Sequence, residues 1–297
     1  MKQNHLLLLL GTLILLLGVA YLAGVFEGDA STVDVPEVDL PGDALEQIRI
    51  EAPAQTLALQ RQGTRWLLTE PLQAPADSLT AARFVESLGD LDLAAVASNN
   101  PDRYARYGVD STATVITASW PDGTHRLTVG NQGPDYQSVY IRLDDDPRVY
   151  TSSGRINIPD GLDRWRDKTV ATIRPGQVTA VSVEQPEASW EIRRGPAGWQ
   201  LSEQGASVPA DSAAVARWLQ RFAPMTADGF MDDLPAPVVR ETSKYRLVFS
   251  TAAGVTETIH LLQRDDGYAV TSDTGTTTYR LVAARLATYV PEPETLK

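Results

Sequence analysis

Two histidines, His125 and His260, stand at comparable places, each in the second strand of a β meander in one half of the chain. A matched pair of imidazoles could bind a metal or carry a proton. Neither has a second His or a carboxylate at ligand spacing within its own strand, and no His-Glu-x-x-His pattern occurs, so both read as structural or exposed. Asp144, Asp145 and Asp146 could suggest a calcium loop. Such a loop needs oxygens at alternate positions, a central Gly and a distal Glu, whereas this run enters Pro147 and a strand and reads as a hairpin tip. Gly130-Asn131-Gln132-Gly133 follows a strand, as phosphate-binding loops do. No Lys with Ser or Thr comes after it, and the next element is a strand, so no helix start is there to receive phosphate. Serine is abundant, yet neither a Gly-x-Ser-x-Gly elbow nor a Ser-x-x-Lys pair is present. Glu51 with Glu184, or Glu70 with Glu203, could meet as paired carboxylates, but their equivalence by duplication points to a shared structural role. The sequence therefore singles out no catalytic, cofactor-binding or metal-ligating residue.

That duplication fixes the elements that would have to position any site. Residues 47–70 (QIRIEAPAQTLALQRQGTRWLLTE) align without a gap on residues 180–203 (AVSVEQPEASWEIRRGPAGWQLSE), and APADSLTAARF continues the match into VPADSAAVARW. Each copy opens with a strand in which Ile48 and Ile50, or Val181 and Val183, mark one buried face. A hairpin follows, carrying Trp66 and Leu68 in one copy and Trp199 and Leu201 in the other, with Gly63 or Gly195 and Gly198 at the turn. Asp77-Ser78 and Asp211-Ser212 then supply side-chain oxygens for a helix start, and helices are predicted over 79–88 and 213–222. Phe84, Val85 and Leu88 share one face, as do Trp218, Leu219 and Phe222. Strands are predicted at 114–119, 125–129, 138–143 and 148–151, and again at 245–250, 256–262, 268–271 and 276–282. Strand, hairpin, helix and four-strand meander imply antiparallel sheet with a helix on one side, an α+β module.

Ahead of the repeats, residues 6–26 run for 21 positions without a charge. A helix of that length spans about 30 Å, a bilayer core, so a transmembrane helix is expected. A cleavable signal peptide is the rival reading, with Gly28 and Ala30 near its cleavage site, but its apolar core would run only about 7–15 residues. Lys2 on one side, against Glu27, Asp29, Asp34, Glu37, Asp39, Asp43 and Glu46 on the other, orients the bulk of the chain outward. The expected organisation is an anchor at 1–26, an acidic extended linker at 27–46 and repeat modules at 47–170 and 171–297. The expected location is the inner membrane, single-pass, with the bulk periplasmic.

The chain carries 38 acidic against 26 basic residues, a formal charge of −12, and no basic stripe in its soluble part. Nucleic acid and anionic lipid are poor partners for such a surface. Cysteine is absent, which removes disulfides, thiol nucleophiles and lipoprotein attachment together.

The leading apolar segment, the repeated Trp-x-Leu hairpin with its Pro-Ala-Asp-Ser helix start, Tyr107-Gly108-Val109-Asp110 before a strand and Trp165-Arg166-Asp167-Lys168 closing the first repeat together resemble a bacterial domain-of-unknown-function family, DUF4340. The resemblance implies an envelope protein, of a kind often encoded beside ABC-type transporters similar to those of the gliding-motility group, and supplies no catalytic residues. The leading expectation is a non-enzymatic, membrane-anchored accessory protein with an envelope protein partner, such as an ABC-type transporter complex, and no cofactor. The alternatives are an envelope glycan or small-ligand module using Trp120, Tyr136 and Tyr140, and a carboxylate-based envelope hydrolase. Function is expected where the copies differ, at 99–110, 130–137 and 165–168.

Overall fold

A computed structural model describes residues 35–186 and 189–297. In the first half, β1 (Gln47–Ala52), β2 (Gln55–Gln62), β3 (Arg65–Glu70) and β4 (Ala74–Pro75) lead into helix α1 (Ser78–Gly89). Then come β5 (Leu93–Ser98), the short α2 (Tyr104–Tyr107), β6 (Thr114–Trp120), β7 (Gly123–Gln132), β8 (Val139–Leu143) and β9 (Val149–Ser152). These strands form one nine-stranded sheet in the order β4-β3-β2-β1-β6-β7-β8-β9-β5.

The second half repeats the plan. After β10 (Thr169–Ala171) it runs β11 (Val178–Glu184), β12 (Trp190–Gly195), β13 (Gly198–Glu203), β14 (Ala206–Pro209), α3 (Ser212–Gln220), β15 (Met225–Thr226), β16 (Gly229–Phe230), α4 (Ala236–Thr242), β17 (Tyr245–Thr251), β18 (Gly254–Arg264), β19 (Gly267–Ser272), β20 (Tyr279–Val282) and α5 (Leu286–Tyr289). Its sheet order, β14-β13-β12-β11-β17-β18-β19-β20-β16, is that of the first sheet strand for strand, while β10 and β15 pair separately. By contacts the chain divides into one unit of Met1–Gln73 with Leu79–Pro159 and a second of Ala74–Ser78 with Asp160–Lys297.

The α+β expectation is corrected by this architecture. Strand takes up 43% of the described residues and helix 21%, so the fold is mostly β. The sequence pattern missed β4, β5, β14 and β16 for a physical reason: two are short edge pieces ending in proline, one is two residues long, and β5 is Leu-Ala-Ala-Val-Ala-Ser, with little β-branched or aromatic content. These four strands widen each sheet to nine and reduce the helices to covers. The expected membrane-spanning helix at 6–26 lies outside the described residues, and among the described residues no helix is long and apolar enough to cross a membrane.

In the first unit α1 buries Ala81, Phe84 and Leu88, and Ile48, Ile50, Leu57, Leu59 and Ile116, which the strand register puts on one sheet face, are buried as well. In the second, Asp211 accepts from the Ala213 N–H at 2.8 Å and caps α3, which buries Val215, Trp218 and Leu219. Rings meet below it: Phe222 lies 5.7 Å from Trp218, 4.8 Å from Phe249 and 5.4 Å from Tyr289. Aromatic contacts of this kind add to the burial of large apolar faces. Phe222→Ala is expected to cost about 3–5 kcal/mol through the cavity left among these rings. A lowered urea midpoint with unchanged slope would report it, and a midpoint within error of wild type would contradict this account of the core.

Candidate functional site

The sheet pairings decide which residues are equivalent. Ile50 pairs with Ile116 and Ile116 with Leu127, while Val183 pairs with Leu247 and Leu247 with Ile259. Counting from those anchors, His260 occupies the place of Thr128, and His125 the place of Glu257. The two histidines are thus not counterparts. The aspartates beyond them are: Asp144 follows Leu143, the partner of Leu127, and Asp273 follows Ser272, the partner of Ile259. Both aspartates donate their backbone N–H across the same step, Asp144 to Arg126 O at 2.7 Å and Asp273 to Thr258 O at 2.9 Å.

Each aspartate then captures a different imidazole. Asp144 Oδ2 lies 2.9 Å from His125 Nδ1, at an exposed hairpin end where Trp120 meets the imidazole edge-on at 5.9 Å. Asp273 Oδ1 lies 2.7 Å from His260 Nε2, and His260 Nδ1 lies 3.1 Å from Ser243 Oγ. The carboxylate partners of the histidines therefore come from the adjoining strand, where spacing along one strand cannot reveal them.

Ser243, His260 and Asp273 form a hydrogen-bonded row of the types used for nucleophile, base and orienter. Its setting gives it a structural task. The imidazole is only 6% exposed, beneath α4, whose Ala236 and Val239 are buried. Ser243 is the C-cap of α4, and its hydroxyl also donates to Arg240 O at 3.3 Å. Arg240 donates to Ser272 O and Gly275 O at 3.2 and 2.8 Å. The row and the arginine clasp the last turn of α4 to the end of β19. The carboxylate can only accept, so Nε2 carries a hydrogen, and Nδ1 has a partner whether the ring is neutral or charged.

Beside the clasp, Glu257 Oε1 is buried and has no hydrogen-bond partner among the described atoms. Burial pushes the Glu257 carboxyl up, and the neighbouring Asp273 charge adds to this. Burial also pushes Asp273 up, but hydrogen bonds from His260 and Thr258 and the nearby Arg240 charge outweigh it and hold that carboxyl below its ordinary range.

The other sequence candidates are occupied by the fold. Asp146 accepts from Arg148 Nε at 3.0 Å and Tyr150 Oη at 2.7 Å, so the aspartate run is a braced turn. Arg148 holds the Asp146 carboxyl well below the usual range, and burial with the Asp146 contact pushes the Tyr150 hydroxyl up to about 12. The Gly130 loop marks a close approach: a Cβ there would stand 2.2 Å from Tyr107 O. Gly108, with φ +67°, ends α2 by donating to Ala105 O, and Val109 N–H donates to Tyr104 O. Glu51 and Glu70 share Arg49 at 3.3 and 2.8 Å, while Glu184 pairs with Arg246 Nε at 2.7 Å.

Trp120 and the pair Tyr136 and Tyr140 sit at opposite ends of the ten-residue β7, about 30 Å apart along the strand. They share no cleft. Tyr140 packs edge-on against Tyr107 at 4.7 Å, and Trp120 donates to Pro41 O at 2.8 Å.

The closing motif of the first repeat is a backbone bracket within the second unit. Asp77 N–H donates to Trp165 O at 2.8 Å, and Asp167 N–H to Pro75 O at 2.9 Å, flanking a bridge between Ala76 and Arg166. Arg166, buried, grips Asp232 through both terminal nitrogens at 2.7 Å and lies 3.5 Å over the Phe230 ring. The counterpart of Trp165 is Leu296, whose carbonyl accepts from Asp211 N–H at 2.9 Å. A family model, described as a domain of unknown function (DUF4340), matches residues 66–247. The chain belongs to the DUF4340 family. The matched stretch runs from β3 to β17 and so spans parts of both repeats. No curated protein and no solved structure is matched by this DUF4340 chain.

The two carboxyls at the clasp give opposite pH signatures. Asp273, depressed in the fold, contributes stability present above its unfolded pKa and lost as pH falls through the folded one. Glu257, raised in the fold, contributes stability present below its unfolded pKa and lost as pH rises through the folded one. Urea unfolding near neutral pH is therefore expected to show Glu257→Gln more stable than wild type and Asp273→Asn less stable by about 1 kcal/mol. Both variants shifting the same way would contradict these assignments.

Proposed function

We propose that this DUF4340 protein is a non-enzymatic accessory protein on the periplasmic side of the bacterial inner membrane, where its β units bind a protein partner such as an ABC-type transporter complex. The export is supported by Lys2 ahead of the uncharged run at 6–26 and the acids that follow it. The accessory role is supported by the way its chemistry-bearing side chains brace one another inside each unit.

One observation carries the partner-binding part: the four outer edges of the two sheets are unequally protected. An exposed edge strand invites another strand, and proteins blunt it with proline, charge or brevity. β4 and β14 each end in a proline, which cannot donate to an added strand, and β16 is two residues long. β5 is six residues long with neither a charge nor a proline, and Ala94 and Ala95 are exposed. Its blunting rests instead on two bulges that bend it against β9, and Tyr107 Oη donates to Ala97 O at 3.1 Å, fixing its far end. Small, uncharged residues at an open edge suit the addition of an extended segment from a partner protein.

Crosslinking of the membrane-associated chain in cells, followed by mild detergent extraction, is expected to recover the same discrete partner across crosslinkers. Ala94→Lys with Ala95→Lys should lower that recovery about tenfold while leaving the melting temperature unchanged, because a charged edge repels strand addition. Undiminished recovery in this variant would remove β5 as the docking edge, and recovery of the chain alone under every crosslinker would count against the accessory role.

A further inference from the structure

The second unit holds a groove of about 490 Å³ between α3 and the carboxy-terminal segment, lined by Arg217, Trp218, Arg221, Thr288, Glu292 and Thr295 among others. Its rim carries two cations. Six arginines of the chain, Arg49, Arg148, Arg166, Arg193, Arg246 and Arg285, have carboxylate partners, and Arg142 lies over the Tyr104 ring. Arg217 and Arg221 are exposed and have no hydrogen bond or ion pair among the described contacts. They stand four residues apart on one helical face, an arrangement of like charges that costs a helix a few tenths of a kcal/mol unless an anion sits between them. What sets this pair apart is that both guanidiniums line one groove.

The first repeat shows that the pair is not needed to build the helix. Aligning Asp77 with Asp211 sets Arg83 on Arg217, Phe84 on Trp218 and Ser87 on Arg221. Ser87 simply turns its hydroxyl back to Phe84 O at 2.8 Å. The second cation is thus an addition of the second repeat, at the C-cap of α3, where the helix end favours positive charge.

We infer that this groove is a docking site for an extended acidic segment of a partner protein, with carboxylates at alternate positions meeting Arg217 and Arg221. Four residues of helix rise about 6 Å, and two residues of extended chain advance about 6.6 Å, so side chains at i and i+2 of a strand match the two guanidiniums. Each guanidinium can take a carboxylate through two parallel N–H bonds. Thr288 offers a hydroxyl along the wall, the Thr295 hydroxyl already donates to Glu292 O at 2.7 Å, and the Glu292 carboxylate sets a limit by repelling a third carboxylate. This deepens the accessory reading and rests on it, but it does not depend on β5.

The test is fluorescence anisotropy on the full chain with a labelled extended peptide carrying two glutamates at alternate positions. The wild type is expected to bind it with an affinity that falls as salt rises, and the peptide with both glutamates changed to glutamine should bind at least about tenfold more weakly. Arg221→Ser installs the residue of the first repeat and should retain the wild-type melting temperature while losing about tenfold in affinity, and Arg217→Ala should do the same. Equal binding of the glutamine peptide, or full affinity in both folded variants, would overturn the proposal. Displacement by inorganic phosphate at low millimolar concentration would overturn it too, since the site would then be one for simple anions. Failure here leaves strand addition at β5 standing. Loss of partner capture on changing β5, with peptide binding intact, leaves the groove standing.

Discussion

No residue of β19 is exposed. A strand in an antiparallel sheet with one wet face shows every second residue to water, so full burial means that a second layer covers its other side. On one face Tyr268 and Val270 join the apolar core beneath α3; on the other, Ala269 and Thr271 lie under α4. That second layer is mainly polar, with Thr258, His260 and Thr271 all buried. Buried polar groups must find partners inside the protein, at a cost of about 1–3 kcal/mol for each one left without. The row from Ser243 through His260 to Asp273, the reach of Arg240 to two carbonyls and the bond from Thr271 Oγ1 to Thr277 O at 2.9 Å all follow from that requirement. A Ser, His and Asp in line here meet the demand of a polar layer under a short helix.

The first unit meets the same constraint with different chemistry. Its α2 lies between β5 and β6 in the chain, as α4 lies between β16 and β17. Tyr104 and Tyr107 from α2 cover the sheet by stacking, the one under Arg142 at 4.2 Å and the other against Tyr140 at 4.7 Å. Aromatic and cationic groups satisfy each other through their faces, so this cover needs fewer hydrogen bonds than the polar one. An aspartate recurs at the same backbone step in both units, from β8 to β7 and from β19 to β18. Its side chain was free to take up His125 in one copy and His260 in the other.

What the sequence made legible was whatever repeats with a period. The alternation of Ile48 with Ile50 and of Val181 with Val183 does mark buried faces, and Phe84 with Leu88, and Trp218 with Leu219, do face the cores. Asp211 does cap its helix. The tryptophans of the two hairpins diverge, since Trp199 is buried while Trp66 is only half-buried. Edge strands were invisible because their stability comes from a neighbour rather than from their own residues, as Leu-Ala-Ala-Val-Ala-Ser shows. The His and Asp partnerships were invisible for a related reason: they join adjacent strands, and the insertions that shift the repeat offset put His125 and His260 at false equivalence. Trp165 and Leu296 share a backbone bond and no side-chain chemistry, so only the fold could align them.

These facts separate what duplication has kept from what it has released. Strand order, the aspartate step and the bracket closing each repeat are held by backbone bonds, and backbone bonds tolerate almost any side chain. Divergence therefore collects on surfaces outside the ladder: the long open β5 against the two-residue β16, the stacked α2 against the clasped α4, Ser87 against Arg221. A site that both units shared would have had to persist at equivalent positions, and the equivalent positions hold core, caps and turns. The asymmetric features are the ones free to have been shaped by something outside the fold, and two of them, an uncharged sheet edge and an unpaired couple of arginines, are of the kinds that recognise extended peptide chain.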